Sequence, residues 1–190
     1  PPITKPVIKE VIGPDAESVM IGFRVGGVDT PDADMVTLIN MILSNETAGL
    51  MDLNLNQAQK VLEANAFSYV LKDYSVHIFS GKAKSGQSLE EVKDLIMKQV
   101  EMVKQGDFPD WMLPAIINNI KLKEIRESQN NFYRAMALAD EFIKETQPTH
   151  RINNVDRLSR ISNNDLVAFV RKNYGDNYVV VYKRNGEAKE

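Results

Sequence analysis

Pairs of β-patterned segments alternate with helical segments along this chain, and this order restricts its fold more than any other feature. One pair comprises residues 7–12 and 18–25, and a second comprises residues 66–72 and 75–84. The members of each pair are close enough in sequence to form hairpins, whereas the segments between the pairs are too long to be turns. A β-branched and aromatic segment, 177–182, comes last. The order predicts an α+β two-layer sandwich, a mostly antiparallel sheet with helices packed on one face.

The helical segments are recognised by apolar periodicity and by their caps. Ser88-Leu89-Glu90-Glu91 predicts a capping box in which Glu91 bonds back to Ser88, and Gly106 predicts the end of that helix. Helices are predicted at 30–44, 50–63, 88–105, 107–125, 132–145 and 155–161, and from 162 onwards. In the segment 132–145 the apolar side chains predicted to be interior are Met136, Leu138, Ala139 and Phe142.

The length of 190 residues suits one domain, and we expect residues 1–190 to form a single domain. Residues 1–6 are proline-rich and are interpreted as a linker, while 184–190 are interpreted as a polar tail. A proline-rich start of this kind suggests a fragment of a larger multidomain chain.

Charge and composition argue against several classes of partner. The net charge of −3 provides no basic surface for nucleic acid, and no apolar run approaches the ~20 residues that a membrane span needs. The chain contains no cysteine, which excludes disulfides, thiolate metal sites and cysteine nucleophiles. We therefore expect a soluble protein that binds neither nucleic acid nor membrane. The sequence does not distinguish a periplasmic or other extracytoplasmic location from a cytoplasmic one.

Histidine is the residue type on which most catalytic and metal sites depend, and the chain has only two. His77 lies in a predicted strand and His150 in a predicted loop, without the i,i+4 spacing of a helical zinc site. No Gly-x-Ser-x-Gly elbow or phosphate-binding loop is present. The sequence predicts no catalytic residue and no metal ligand in this chain, and it identifies no substrate-binding residue.

Two further segments have both a structural and a functional interpretation. The alternating charges of 121–127 favour a solvated helix face over a nucleic-acid site. Trp111, the only tryptophan, favours packing in a core or an interface, with a ligand platform as the alternative.

Several segments together resemble a known family. These are Gly49-Leu50 with the residues that follow to Leu55, the paired strands ending at Gly81-Lys82-Ala83, the Ser88 capping segment, the turn 106–111, and the closing segment 173–187. In order and spacing they resemble the non-catalytic, C-terminal-type domain of the insulinase/pitrilysin (inverzincin) zinc metallopeptidases. The resemblance covers about Pro6 to Glu187. It implies the fold of mitochondrial processing peptidase and LuxS.

In that family, homologous domains of one or two chains surround a closed chamber, and only one carries the zinc motif His-x-x-Glu-His. This chain lacks the motif, so the resemblance implies a metal-free domain that lines the substrate chamber while a separate zinc domain hydrolyses the peptide. Its expected partners are homologous peptidase domains and, in the assembled enzyme, the peptide substrate. Whether it belongs to an enzyme stays uncertain, because a scaffold or assembly subunit of the same fold is the alternative and an unrelated α+β enzyme is a third. One departure is the stretch 64–69, where related domains show an Arg-Gly-Leu-Ala-Tyr-like segment.

Overall fold

Five strands form one sheet in the computed structural model, which describes residues 3–187. In space the strands follow the order β1-β5-β2-β4-β3. Their bounds are β1 Val7–Gly13, β2 Ser18–Gly26, β3 Glu63–Tyr69, β4 Tyr74–Lys82 and β5 Tyr178–Asn185. β1 pairs with β5 in parallel, and the other three pairings are antiparallel. The predicted mostly antiparallel sheet of an α+β fold is confirmed.

Seven α-helices and one π-helical segment are described between and beside these strands. The helices are α1 Pro31–Leu43, α2 Leu89–Gln105, α3 Met112–Ser128, α4 Asn131–Lys144, α5 Pro148–Ile152, α6 Asn154–Leu158 and α7 Asn163–Asn173, and the π-helical segment is Asp52–Gln57. Among the described residues, no helix has the length and apolar character needed to cross a bilayer.

The residues that cap α2 at its two ends are those predicted from the sequence, and one predicted contact differs. Ser88 Oγ accepts a hydrogen bond from the backbone N–H of Glu91 at 3.1 Å. Gly106 ends the helix with φ of 75°, a left-handed conformation that favours glycine. The predicted return bond from Glu91 to Ser88 is wrong, since the Glu91 carboxylate accepts instead from Gln87 Nε2 at 3.2 Å. A complete capping box occurs at α7, between Ser162 and Asp165.

The core lies between the sheet and the helices on one of its faces. In β2 the alternate side chains Val19, Ile21 and Phe23 are fully buried, whereas Met20 and Arg24, on the other face, are exposed. Helices α1 and α2 pack against the buried face of β2 and β4. The opposite face has no helix against it among the described residues, so the predicted placement of helices on one face is confirmed.

The segment 50–63 is less helical than predicted because side chains bond the backbone there. Asn56 accepts from the N–H of Ala64 and donates to its carbonyl, both at 2.7 Å, and so acts as a strand partner. The buried carboxylate of Asp52 accepts from the N–H groups of Asn45 and Gly49 at 2.8 and 3.1 Å. As a result β3 begins at Glu63, three residues before the predicted start.

The C-terminal residues also differ from their prediction. β5 continues through Asn185, so the polar tail predicted at 184–190 begins inside a strand. Arg184 is held there by Glu10 at 3.0 Å and Glu90 at 2.6 Å. The linker predicted at 1–6 contains no helix or strand at residues 3–6, and residues 1–2 and 188–190 lie outside the described range.

Candidate functional site

A fully buried histidine bridges two elements that are distant in sequence. His77, on β4, is completely buried, and its Nδ1 lies 2.7 Å from the hydroxyl oxygen of Tyr174. Its Nε2 lies 3.2 Å from Oδ1 of Asn40, on α1. Tyr174, at the C-terminal end of α7, is also fully buried. We call Asn40, His77 and Tyr174 the buried polar triad.

The geometry of the buried polar triad assigns its protons. The Asn40 oxygen can only accept, so His77 Nε2 carries the hydrogen, and Nδ1 is left to accept from the Tyr174 hydroxyl. Burial lowers the pKa of His77 to about 3, since a charged imidazole would lose its hydration there. Burial likewise raises the pKa of Tyr174. The imidazole is therefore neutral, with both nitrogens in use.

The second histidine has no hydrogen bond to this network among the described residues. His150 is on α5, so its predicted placement in a loop is wrong, whereas the placement of His77 in a strand is confirmed. The carbonyl of His150 accepts from Arg157, whose guanidinium also binds Asp34 of α1 at 3.0 Å. Within residues 3–187, no group of three or more His, Asp or Glu side chains is arranged to hold a metal ion.

Helix α4 presents a large apolar surface that stays exposed to solvent among residues 3–187. None of its residues is buried, and Phe142 and Ile143 are 84% and 74% exposed. The exposed large apolar side chains, here called the α4 surface, are Phe132, Tyr133, Met136, Leu138, Phe142 and Ile143. The interior positions predicted for Met136, Leu138, Ala139 and Phe142 are therefore wrong within this domain.

The helix-free face of the sheet carries a second apolar surface. Side chains in register across the five strands form one row, and each is only half-buried. This row, the open sheet face, comprises Phe67, Ile78, Gly22, Val179 and Val7. Gly22 lies at its centre with no atom nearer than 3.8 Å to the position of an added Cβ. A glycine there leaves the backbone accessible to a partner.

A third surface is a groove between α1 and α3, with a cavity of about 560 Å³. Trp111, which precedes α3 and is 60% exposed, lies at one end of it. Trp111 is therefore not part of the core of this domain, whereas its predicted packing in an interface and the alternative of a ligand platform stay predictions.

Comparison with known proteins places this fold in a family. The family model described as the peptidase M16 inactive domain matches residues 1–120. No curated protein matches the chain significantly.

Three solved structures illustrate the likeness. A protease from Helicobacter pylori has a TM-score of 0.89 at 18% identity, over 97% of this chain and 45% of that one. An inactive peptidase domain from Bordetella parapertussis has a TM-score of 0.79 at 13% identity, over 94% of this chain and 97% of that one. A chain of complex III2 from Candida albicans has a TM-score of 0.74 at 12% identity, over 94% of this chain and 45% of that one.

This chain thus spans less than half of the Helicobacter pylori protease but almost all of the Bordetella parapertussis domain. At these identities the structures establish the fold, and the family match over the first 120 residues establishes the kinship. The chain belongs to the peptidase M16 inactive-domain family, as its resemblance to the insulinase/pitrilysin peptidases predicted.

Proposed function

We propose that this chain is a metal-free domain that supports peptide hydrolysis by packing against a homologous zinc domain. The α4 surface carries the proposal. An amphipathic helix normally buries its apolar stripe, yet no residue of α4 is buried in this domain. Contiguous exposed apolar surface of this kind marks an interaction site. The length of relatives such as the Helicobacter pylori protease, more than twice that of this chain, supports a second domain as the partner.

The open sheet face suits the wall of a substrate chamber. Its row of apolar side chains can contact an extended peptide without strong sequence preference, and Gly22 admits a close approach. Arg24 stacks over the ring of Tyr74 at 5.7 Å beside this row, which adds a cationic and aromatic patch. We therefore assign the peptide-facing role to the sheet and the domain-binding role to α4.

The absence of a zinc site in this chain is part of the proposal. Both ring nitrogens of His77 already have hydrogen-bond partners, and the side chain is inaccessible to solvent. Binding zinc at His77 would require breaking the buried polar triad and would leave Tyr174 without its partner. A zinc ion held by the partner domain would supply the hydrolytic chemistry by activating a water molecule.

We expect the purified chain to bind no stoichiometric zinc and to cleave no flexible peptide. The measurements are elemental analysis after dialysis against zinc, and a fluorogenic peptide assay with and without a chelator. One tightly bound zinc per chain, lost on substituting His77→Gln or His150→Gln, would contradict the metal-free assignment.

We expect Ile143→Glu to weaken association with the homologous zinc domain, of the same or a partner chain, by about tenfold or more, since exposed apolar anchors dominate interfaces. Because Ile143 is 74% exposed, its substitution should change the free energy of unfolding by no more than about 0.5 kcal/mol. The affinity is measured by titration calorimetry, and the unfolding free energy by urea denaturation.

The control for that experiment is Ile12→Glu, on the edge strand β1, where the isoleucine is 56% exposed. It introduces the same charge at a comparably exposed isoleucine outside the α4 surface. Equal loss of association in the two variants would show that α4 does not form the interface.

A scaffold subunit without peptidase activity is the second candidate function. The similarity of the fold to a chain of complex III2 from Candida albicans favours it. In that case α4 would bind another subunit, and the assembled complex would show no chelator-sensitive cleavage.

A further inference from the structure

The groove between α1 and α3 has an apolar floor and lies apart from both surfaces used above. Met112 and Ile116 of α3 form buried parts of the floor, while Met41 of α1 and Ile120 of α3 line it and are half-buried. Two of these four side chains are methionines, whose flexible thioethers adapt to ligands of different shape. The cavity of about 560 Å³ falls within the range of ligand pockets.

One end of the groove is aromatic. Trp111 lines the cavity and remains 60% exposed, although it is the only tryptophan of the chain and could have been buried in the core. Ala115, one helical turn further along α3, also lines the cavity and leaves room beside the indole. An exposed indole next to small and flexible apolar side chains is suited to hold an aromatic or aliphatic group.

The other end of the groove is acidic. Glu124 and Glu127 line it and are half-buried, with one basic side chain, Lys123, beside them. Lys123 Nζ is 3.8 Å from the Glu127 carboxylate, and its side chain is 74% exposed, so this pair is weak. Glu124 accepts from the neutral amide of Asn154 at 2.6 Å. Among the side chains that line this groove, two carboxylates and one solvated ammonium give a net negative set that complements a cation.

We infer that this groove binds a short peptide with an aromatic or large aliphatic residue at one end and a lysine or arginine at the other. The apolar residue would lie on Met41, Met112 and Ile116 beside the indole, and the cation would lie between the two carboxylates. The midpoint of Met112 and Ile116 is separated from that of Glu124 and Glu127 by about eleven helical residues, or about 17 Å along α3. Four extended residues span about 13 Å, and a lysine side chain covers the remainder.

The peptide is a ligand from outside this chain, and the inference does not depend on the proposed packing of α4. The groove involves neither the α4 surface nor the open sheet face. A peptide that binds here would contact α1 and α3, apart from the sheet face that is proposed to meet the substrate.

The test uses acetyl-Phe-Ala-Ala-Ala-Lys-amide and its Glu analogue, acetyl-Phe-Ala-Ala-Ala-Glu-amide. Because Trp111 is the only tryptophan, its fluorescence reports on the groove directly. We expect the Lys peptide to shift the emission to shorter wavelength with a dissociation constant of about 0.1–1 mM. The dissociation constant of the Glu peptide should be higher by about tenfold or more.

Three variants locate the site. Ala115→Phe should fill the groove and weaken the affinity for the Lys peptide by about tenfold or more, as measured by calorimetry. The double variant Glu124→Gln/Glu127→Gln should remove the preference for Lys over Glu without blocking the groove. The matched control Lys123→Gln, on the same helix, should leave binding of the Lys peptide unchanged or slightly stronger.

No saturable shift with either peptide would overturn the inference, as would equal affinity for the Lys and Glu peptides. Retention of the preference in the double variant would also overturn it. Far-UV circular dichroism checks whether each variant is folded. The double variant replaces half-buried polar side chains, so it tests the site even if Ala115→Phe does not fold.

Discussion

Val180→Asp is expected to unfold this domain. Val180 is 1% exposed at the centre of β5, on the face of the sheet that α1 and α2 cover. A carboxylate there has no cationic partner, and burying it unpaired costs about 4 kcal/mol or more. That cost approaches the entire stability of a typical domain, which is about 5–15 kcal/mol. Urea denaturation followed by circular dichroism measures the loss.

Val181→Asp is the matched control, because it is the next residue of the same strand and points to the open sheet face. Val181 is half-buried there, opposite Lys9 of β1 and Met20 of β2. The introduced carboxylate stays hydrated and lies near an amine, so we expect a loss of about 1 kcal/mol. Leu95→Asp should cost less than Val180→Asp, since Leu95 is only half-buried. Equal losses for Val180→Asp and Val181→Asp would mean that the sheet does not have one buried and one open face.

The second large effect is a loss of stability in mild acid that is caused by His77. The pKa of His77 is about 3 in the folded domain because of burial, against an ordinary value of about 6.5 in the unfolded chain. Between these values the unfolded chain binds a proton that the folded chain does not, so acid favours unfolding. The free energy of unfolding therefore has its full value above about pH 6.5, where His77 is neutral in both states. It declines as the pH falls towards 3. The slope is about 1.4 kcal/mol per pH unit.

The effect is measured best between pH 6.5 and 5, where most carboxylates stay ionised. Over that interval we expect the free energy of unfolding to fall by about 2 kcal/mol. His77→Gln should be less stable at pH 7, because it loses contacts of the buried polar triad, but its stability should change little with pH in this interval. His150→Gln, which removes the only other histidine, should keep the full slope. Persistence of the slope in His77→Gln would assign it to other groups.

The local features of this fold follow closely from local sequence. Helix α2 begins after Ser88 and ends before Gly106 because a hydroxyl and a left-handed glycine satisfy the free backbone groups at its ends. Its buried residues Val92, Ile96 and Val100 recur at the helical period that the sequence shows. β5 likewise has the β-branched and aromatic composition of a sheet strand. Such signals depend on neighbours within a few residues, which the sequence contains in full.

The buried polar triad could not be predicted in this way. Asn40 and Tyr174 lie 37 and 97 residues from His77 in the chain, and nothing in their local sequence indicates that they meet. The position of His77 in a strand was predictable, but its partners and its low pKa depend on how α1 and α7 pack on β4.

Helix α4 shows the other limit of sequence reasoning. Its apolar residues predict a buried face, and periodicity cannot distinguish a face buried in the domain from one left for a partner. Only the tertiary structure, in which α4 packs on α3, leaves Phe142 and Ile143 exposed to solvent.

The sequence by itself determined the order of the strands and helices, most of their ends, the α+β class and the family resemblance, because these depend on periodicity, capping and spacing along the chain. The tertiary structure alone decided which apolar faces are buried and which stay open, where the groove beside Trp111 forms, and why His77 is held neutral. These properties arise from contacts between residues far apart in sequence, whose free energies depend on burial and distance in space.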